Sequence, residues 1–210
     1  MRFGVDEAGK GPVLGSMFAA AVRCDPADLP DGVGDSKGIP DERRERLADQ
    51  IWSVATVGVA EVPPVRIDDP ETDMNTLTVA AHAEALAQVA TDGLSGLADA
   101  GDTNAVRFEQ RVGDRVDADL DLTARHRADE DDPVVGAASI VAKSAREAHV
   151  DALAAKYGPI GSGYPSDPTT REFLEEYVAD HDDLPDCARR SWSTCEDVLA
   201  AAEQSSLDAF

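Results

Sequence analysis

Residues 4–12 have the sequence GVDEAGKGP, in which two adjacent carboxylates, Asp6 and Glu7, are followed at once by a glycine-rich turn. The chain holds 42 Asp and Glu among 210 residues, so many acidic pairs arise by chance. The setting distinguishes this pair, because Lys10 is the only other charged residue between residues 3 and 22. An ionised pair in so apolar a segment needs compensation, and a bound metal ion is a common form of it.

The overall composition indicates a folded and strongly acidic protein. A length of 210 residues with 42% hydrophobic residues suits one domain with a single core, or one domain with a small appendage. The formal net charge is −23, and only four lysines occur. Such a surface resembles that of proteins from salt-loving organisms, where molar salt screens self-repulsion. Simple solubility is the alternative, and the apolar periodicity argues against wholesale disorder.

The cysteines and the apolar runs predict the compartment. Three cysteines form neither a C-x-x-C motif nor an even disulfide framework, which favours a reducing cytoplasm. Charge appears by residue 6, against a signal peptide, and the longest apolar run, residues 13–22, is too short to cross a membrane. We therefore expect a cytoplasmic protein that does not engage membranes.

Hydrophobic periodicity predicts strands followed by alternating helices and strands, which is typical of the α/β class. Strands are expected at residues 1–5, 13–23 and 54–62, in a short segment near 93–99, and up to about 125. Helices are expected after Pro40 and at residues 74–90, 103–112, 133–156, 168–180 and 191–203, with Asp132 and Pro133 opening the longest one. We expect residues 1–203 to form one domain and residues 204–210 a short tail.

Three acids are expected at the carboxyl ends of strands: Asp6, Asp99 and Asp129. Sites gather at that edge of an α/β sheet. Carboxylates that converge there do not all stay ionised unaided, and hard divalent cations bound through oxygen are the usual remedy. Alternatives remain open, since Asp99 also fits a turn or helix cap and Asp129 also fits a solvated acidic run.

Five blocks, in order from about residue 3 to residue 192, resemble the motif set of ribonuclease HII in its archaeal form: GVDEAGKGPVLGSM, DSK, ADAGD, HRADEDDPVVGAASIVAK and GSGYPSDPTTREFL. The resemblance implies an RNase H-like fold, with a mixed central sheet flanked by helices and a C-terminal helical segment. It implies cleavage of RNA in RNA–DNA hybrids and at single ribonucleotides in duplex DNA, giving 5′-phosphate and 3′-hydroxyl ends. Family precedent also implies a monomer.

The same resemblance implies that four acids are catalytic and hold two Mg²⁺ or Mn²⁺ ions: Asp6, Glu7, Asp99 and Asp129. Neighbours on a regular strand point to opposite faces. Asp6 and Glu7 therefore share one site only if the strand ends or bulges there, which Gly9 and Gly11 permit.

Further residues match substrate-contacting positions of the family. The loop Gly9-Lys10-Gly11 corresponds to a Gly-Arg-Gly loop that approaches the ribose 2′-hydroxyl, and here Lys10 keeps the charge but not the bidentate fork. Tyr164 matches a tyrosine at the junction between ribonucleotide and deoxyribonucleotide, with a core tyrosine as the alternative.

Cationic and polar residues complete the predicted substrate contacts. One helix face at spacing i, i+4, i+7 is predicted to contact phosphate: Ser139, Lys143 and Arg146. Weaker matches are Ser36, Lys37 and Asn75, the last of which also fits a helix N-cap. His126 is a candidate partner for the acids, although a structural histidine is more common.

The last residues, QSSLDAF, resemble a box that docks on the DNA sliding clamp. Gln204, Leu207 and Phe210 line up on one side of a 3₁₀ turn, and a frayed terminus is the alternative. For the whole chain, two other functions remain open: a structure-specific DNA nuclease of the same superfamily, or a non-catalytic acidic protein that binds cations or a partner.

Overall fold

The computed structural model describes residues 1–33 and 39–207, with side chains to residue 204. The chain divides into two compact units. The first comprises Met1–Lys10, Met17–Glu61 and Met74–Arg146, and the second comprises Gly11–Ser16, Val62–Asp73 and Glu147–Phe210. The predicted division between residues 1–203 and a tail of residues 204–210 stays a prediction.

The first unit is built on a five-stranded mixed sheet in the order β3-β2-β1-β4-β5. Its strands are β1 (Arg2–Ala8), β2 (Met17–Cys24), β3 (Thr56–Val62), β4 (Leu94–Asp99) and β5 (Leu120–Arg125). Strand β1 pairs antiparallel with β2 and parallel with β4, which in turn pairs parallel with β5. The predicted α/β class with a mixed central sheet is confirmed.

Helices cover both faces of this sheet. In chain order, the helices of both units are α1 (Asp41–Val54), α2 (Pro64–Ile67), α3 (Met74–Ala87), α4 (Ala105–Gly113), α5 (Ala128–Asp131), α6 (Pro133–Tyr157), α7 (Pro168–His181) and α8 (Ser193–Leu207), of which α2, α7 and α8 belong to the second unit. Helix α1 and the first part of α6 pack on one face in a core that includes Ala20, Val22, Ile51 and Val134. Helix α3 packs on β1 and β2, and α4 packs on β5 and on α3.

The backbone of α6 comes very close to β1, and Gly4 makes this approach feasible. A Cβ at Gly4 would lie 2.4 Å from backbone atoms of Val134 and Val135. Because side chains alternate along a strand, Asp6 shares the α6 face with Gly4, while Glu7 points to the opposite face. This alternation decides the surroundings of the two carboxylates.

The second unit has its own core beneath α7 and α8. Its buried residues include Val13, Leu14, Ile160, Leu174 and Val178. The N–H groups of Val13 and Leu14 both donate to the carbonyl of Gly163, at 2.8 and 3.2 Å. These bonds explain why residues 13–16 do not extend β2, against the predicted strand at residues 13–23.

Two other expectations were wrong. Strand β1 continues to Ala8 instead of ending at residue 5, because its pairing with β2 is unbroken through Ala8. Helix α5, which carries Asp129, was not predicted, and a four-residue helix leaves little periodicity to detect. Within the described residues, no helix is long and apolar enough to span a membrane.

Candidate active site

Asp6 lies on the α6 face of β1 and is 5% exposed. Burial, followed by the charge of Glu7, raises the pKa of Asp6 well above its ordinary value, and Asp99 adds to the rise. The Ser139 hydroxyl opposes the shift, since it lies close enough to lower the Asp6 pKa. That hydroxyl is buried and makes no regular hydrogen bond within the described part of the chain. Oδ1 of Asp6 also accepts a hydrogen bond from the Glu7 N–H at 2.8 Å, but no cationic side chain is among the groups that offset its charge.

Glu7 lies on the α3 face and has two cationic or polar partners. Its Oε2 is 2.7 Å from Nε2 of His82, and its Oε1 is 4.0 Å from Nζ of Lys10. Nζ of Lys10 also donates to the Gly101 carbonyl at 2.5 Å. Burial raises the pKa of Glu7, but the His82 hydrogen bond, followed by the charges of His82 and Lys10, brings it below its ordinary value.

Asp99 ends β4, and Asp129 lies in α5 after β5. Oδ1 of Asp99 accepts a hydrogen bond from the Ala128 N–H at 2.9 Å. Burial raises the pKa of Asp99, the Ala128 N–H lowers it, and the charges of Asp129 and Glu7 raise it again. The four predicted acids thus interact electrostatically along the carboxyl ends of three neighbouring strands.

The turn between β5 and α5 has an unusual backbone. Arg127 adopts the left-handed conformation, with φ 59° and ψ 34°. An arginine is strained there, and such strain is often found at functional sites. The turn leads directly into Ala128, whose N–H is the one that Asp99 accepts, and then into Asp129.

The histidine that contacts the acids in the structure is not the one that the sequence indicated. His126 is exposed in the turn before Arg127, and within the described residues it has no polar partner. His82, which the sequence analysis missed, is fully buried against Glu7. The sequence signal for His82 was a single histidine in a nearly apolar helix, and this pattern more often marks a core histidine.

The acids do not form a ready-made metal site. Within residues 1–33 and 39–204, no three His, Cys, Asp or Glu side chains are grouped so as to hold a metal ion. The predicted strand end or bulge at Asp6 is wrong, because Asp6 pairs with Ala20 and Glu7 with Ala19 in regular register. The donor set nevertheless fits a hard divalent cation, since it consists of carboxylate oxygens with the Ser139 hydroxyl beside Asp6.

The predicted substrate loop is divided between the two units. In the first, Gly9 has a positive φ of 90°, which glycine adopts without strain. In the second, Gly11 lies beside Tyr164, whose Cε1 would be 3.6 Å from a Cβ at Gly11. Tyr164 is 39% exposed, so the core-tyrosine alternative is wrong.

Helix α6 carries the three residues predicted to contact phosphate. Ser139 and Arg146 are buried, and Lys143 is half-buried. Lys143 makes no ion pair within the described residues, although the chain has 42 carboxylates. An unpaired cation in so acidic a chain is available for an external anion.

The remaining predicted residues have separate outcomes. Asn75 is exposed and is the second residue of α3, so the N-cap alternative is wrong. Gln204 is exposed on α8. Four others lie outside the residues whose side chains are described: Ser36, Lys37, Leu207 and Phe210.

Comparisons with known proteins agree with this geometry. The model of the family described as Ribonuclease HII matches residues 3–195. The ribonuclease HII of Haloarcula marismortui is 69% identical over 211 residues, covering 100% of both chains. The crystal structure of ribonuclease H2 from Pyrococcus horikoshii has a TM-score of 0.86 at 33% identity, covering 96% of this chain and 98% of that one.

A second solved structure is the PCNA:RNase HII complex from Archaeoglobus fulgidus, with a TM-score of 0.84, 36% identity, and coverage of 94% of this chain and 96% of that one. These matches confirm the predicted fold and ribonuclease activity over the two other functions considered. The haloarchaeal relative also fits the salt-adapted surface that the charge of −23 predicts. The chain therefore belongs to the ribonuclease HII family, the divalent-metal-dependent endoribonucleases that cleave the RNA strand of RNA–DNA hybrids.

Proposed function

We propose that this ribonuclease also cuts at single ribonucleotides in duplex DNA, and that its active site is the acid cluster Asp6, Glu7, Asp99 and Asp129. One observation carries the assignment of the site: the charges of neighbouring acids raise the pKa of Asp6 and of Asp99. The charge of Glu7 raises the pKa of Asp6 and Asp99, and Asp129 raises that of Asp99. Such repulsion is relieved when cations bind between the acids.

The acid cluster would hold Mg²⁺ or Mn²⁺, two ions during catalysis. When bound, such ions lower the pKa of an attacking water and stabilise the charge on the leaving oxygen, so that 5′-phosphate and 3′-hydroxyl ends result. Pairing in the sheet would fix the backbone of three of these ligands, because Asp6, Glu7 and Asp99 lie on the paired strands β1 and β4, and Asp129 would come from α5. Asp99 is further held by the N–H of Ala128.

Other residues of the chain would orient the nucleic acid. Within the described residues Lys143 has no ion pair to lose, so it is suited to a backbone phosphate. Backbone N–H groups of Gly9 and Gly11 would approach the 2′-hydroxyl, where a side chain would obstruct them. Tyr164, which is 39% exposed on a loop, would stack at the junction between RNA and DNA.

The test is the cleavage of a duplex that contains one ribonucleotide, with the ends mapped. We expect one cut at the ribonucleotide, and its loss in Asp99→Asn and Asp129→Asn. The matched control is Asp131→Asn, because Asp131 is exposed on the same short helix as Asp129. Cutting of an all-DNA duplex, or equal damage from Asp131→Asn and Asp129→Asn, would contradict the proposal.

A second proposal concerns the C-terminal residues, which we propose bind the DNA sliding clamp. The supporting observation is that the similar protein from Archaeoglobus fulgidus was solved as a complex with PCNA. Helix α8 ends at Leu207, so Gln204 belongs to its last turn. Leu207 and Phe210 would fill an apolar pocket, and Gln204 would donate a hydrogen bond beside it.

Titration of the full protein and of its Phe210→Ala variant into the cognate clamp tests this second proposal. We expect weak binding that Phe210→Ala abolishes, since a single aromatic residue is present in the tail. Cleavage of short duplexes should be unchanged in the variant. Equal binding by the two proteins, or binding by neither, would remove the clamp as a partner.

A further inference from the structure

The contact between His82 and Glu7 joins two elements that are 75 residues apart in the chain. His82 is 0% exposed in the middle of α3, and its Nε2 is 2.7 Å from Oε2 of Glu7. The edge of its ring packs against Phe108 of α4, with the ring centroids 5.0 Å apart. The imidazole is thus fixed by packing on one side and by the carboxylate on the other.

The ring makes a single hydrogen bond within the described residues, since its Nδ1 is buried without a partner. A buried nitrogen that lacks a partner is costly, so a purely structural histidine would be expected to satisfy both nitrogens. A carboxylate accepts hydrogen bonds and does not donate them, so Nε2 must carry a hydrogen. The orientation of the ring therefore serves one hydrogen bond, which Nε2–H donates to Oε2 of Glu7.

This donation engages Oε2, so Oε1 is the Glu7 oxygen that can face the acid cluster. Oε1 points toward the turn after β4, because a Cβ at Gly101 would lie 3.0 Å from it. Asp99, the next carboxylate of the acid cluster, ends β4 two residues before Gly101. Although Glu7 lies on the face of β1 opposite to Asp6, Oε1 is thus directed toward the sheet edge where Asp99 lies, with Nζ of Lys10 4.0 Å away.

We infer that His82 is a positioning residue for cation binding: it holds Oε2 of Glu7 so that Oε1 is presented to a divalent cation at the acid cluster. The inference rests on the proposed assignment of Glu7 as a metal ligand. Residues that orient metal ligands through hydrogen bonds typically change metal affinity when they are replaced. His82 does this from a helix that carries none of the four acids.

The test compares the Mn²⁺ affinity of variants in which a side-chain amide replaces one or the other ring nitrogen of His82. Electron paramagnetic resonance of free Mn²⁺ measures the affinity. In His82→Gln the amide nitrogen reaches the position of Nε2, whereas in His82→Asn it reaches only that of Nδ1. We expect His82→Gln to bind Mn²⁺ much like the unmodified protein, and His82→Asn and His82→Phe to bind about tenfold more weakly. Because the readout is metal binding, a loss of activity alone does not count as support.

Thr78→Val is the matched control, since Thr78 is also fully buried on α3 and donates to the Met74 carbonyl at 2.7 Å, not to an acid. It should leave Mn²⁺ affinity unchanged even if it lowers the melting temperature. Equal Mn²⁺ affinity in His82→Gln and His82→Asn would overturn the inference, and this pair decides the question even if His82→Phe does not fold.

Glu7→Gln separates failure of the inference from failure of the proposed site. If Glu7→Gln weakens Mn²⁺ binding and His82→Asn does not, the acid cluster stands and the role of His82 is wrong. If Glu7→Gln itself leaves the Mn²⁺ affinity unchanged, the assignment of Glu7 as a ligand is wrong, and the role of His82 fails with it.

Discussion

Asp6 and Glu7 are neighbours in sequence, yet the two faces of β1 give them opposite electrostatic surroundings. On the α6 face, Asp6 meets buried residues and the Ser139 hydroxyl, and its pKa is raised well above the ordinary value. On the α3 face, Glu7 meets His82 and Lys10, and its pKa is lowered. The ionised form of Asp6 is destabilised on the α6 face, whereas the ionised form of Glu7 is stabilised on the α3 face.

The difference shows how a site can assemble acids without losing the fold. If both carboxylates were as poorly compensated as Asp6, the apo protein would carry two uncompensated charges on adjacent residues. The His82 hydrogen bond and the charge of Lys10 compensate Glu7 from within the chain, which leaves Asp6, with Asp99, as the carboxylates that most need an external cation.

The largest effect is expected on catalysis, where the two acids should behave alike. Asp6→Asn and Glu7→Gln should each reduce cleavage of the ribonucleotide-containing duplex by about 10³-fold or more, because each removes a charged oxygen ligand. Single-turnover cleavage at saturating Mn²⁺ measures this. Activity above about a tenth of the original in either variant would exclude that acid from the catalytic centre.

The same two variants should change apo stability in opposite directions. Asp6→Asn should raise the melting temperature in EDTA, because it removes a charge that burial disfavours. Glu7→Gln should lower stability by about 2 kcal/mol, because the His82 hydrogen bond loses its charged acceptor. Thermal unfolding in EDTA distinguishes them, and shifts of the same sign would break the contrast between the faces.

The pH dependence of these shifts follows from the pKa directions. The pKa of Asp6 is raised by folding, so ionised Asp6 costs stability, and the advantage of Asp6→Asn should vanish as pH falls below the ordinary value of 3.8. The pKa of Glu7 is lowered by folding, so its contribution exists above the ordinary value of 4.5 and should be lost as pH falls through and below it. Both variants should therefore converge on the unmodified protein in acid, which unfolding at a series of pH values would show.

Salt should change the stability of all the proteins while preserving the difference between the two variants. Self-repulsion at −23 acts over a Debye length of about 30 Å at 0.01 M salt and about 3 Å at 1 M. Unfolding should therefore require higher temperature in molar KCl, whereas the gap between Asp6→Asn and Glu7→Gln persists because both acids are shielded from solvent ions. Equal stability in dilute buffer and molar KCl would contradict the salt-adapted surface.

The smallest effect is expected for Lys10. Its Nζ is 4.0 Å from Glu7 and its side chain is 32% exposed, so Lys10→Met should cost less than about 1 kcal/mol. The matched control is Arg46→Met, which changes the net charge equally and breaks an exposed 4.0 Å pair with Glu42. Chemical denaturation in EDTA should show a larger loss for Lys10→Met than for Arg46→Met, since only Glu7 is mostly buried.

The sequence alone predicted most of the helices and the mixed α/β class, and it named the four acids that we propose as the active site. Local chemistry was enough for the start of α6, where Asp132 accepts from the N–H groups of Val134 and Val135 at 2.9 and 3.2 Å. Motif order was enough for the family. These features depend on residues that are close in the chain or on blocks that keep their order, so a linear reading captures them.

Tertiary structure alone decided how the acids are compensated. The register of β1 against β2 sets which face each carboxylate occupies. Because the sequence predicted that this strand ends at residue 5, it did not predict the faces of Asp6 and Glu7. The partner of Glu7 comes from α3, so His82 gave no signal in the sequence near the acids, whereas the nearby His126 is exposed. Sequence determines which ionisable groups exist, but burial and contacts between distant elements determine their electrostatic energies, because these depend on distance through the folded protein.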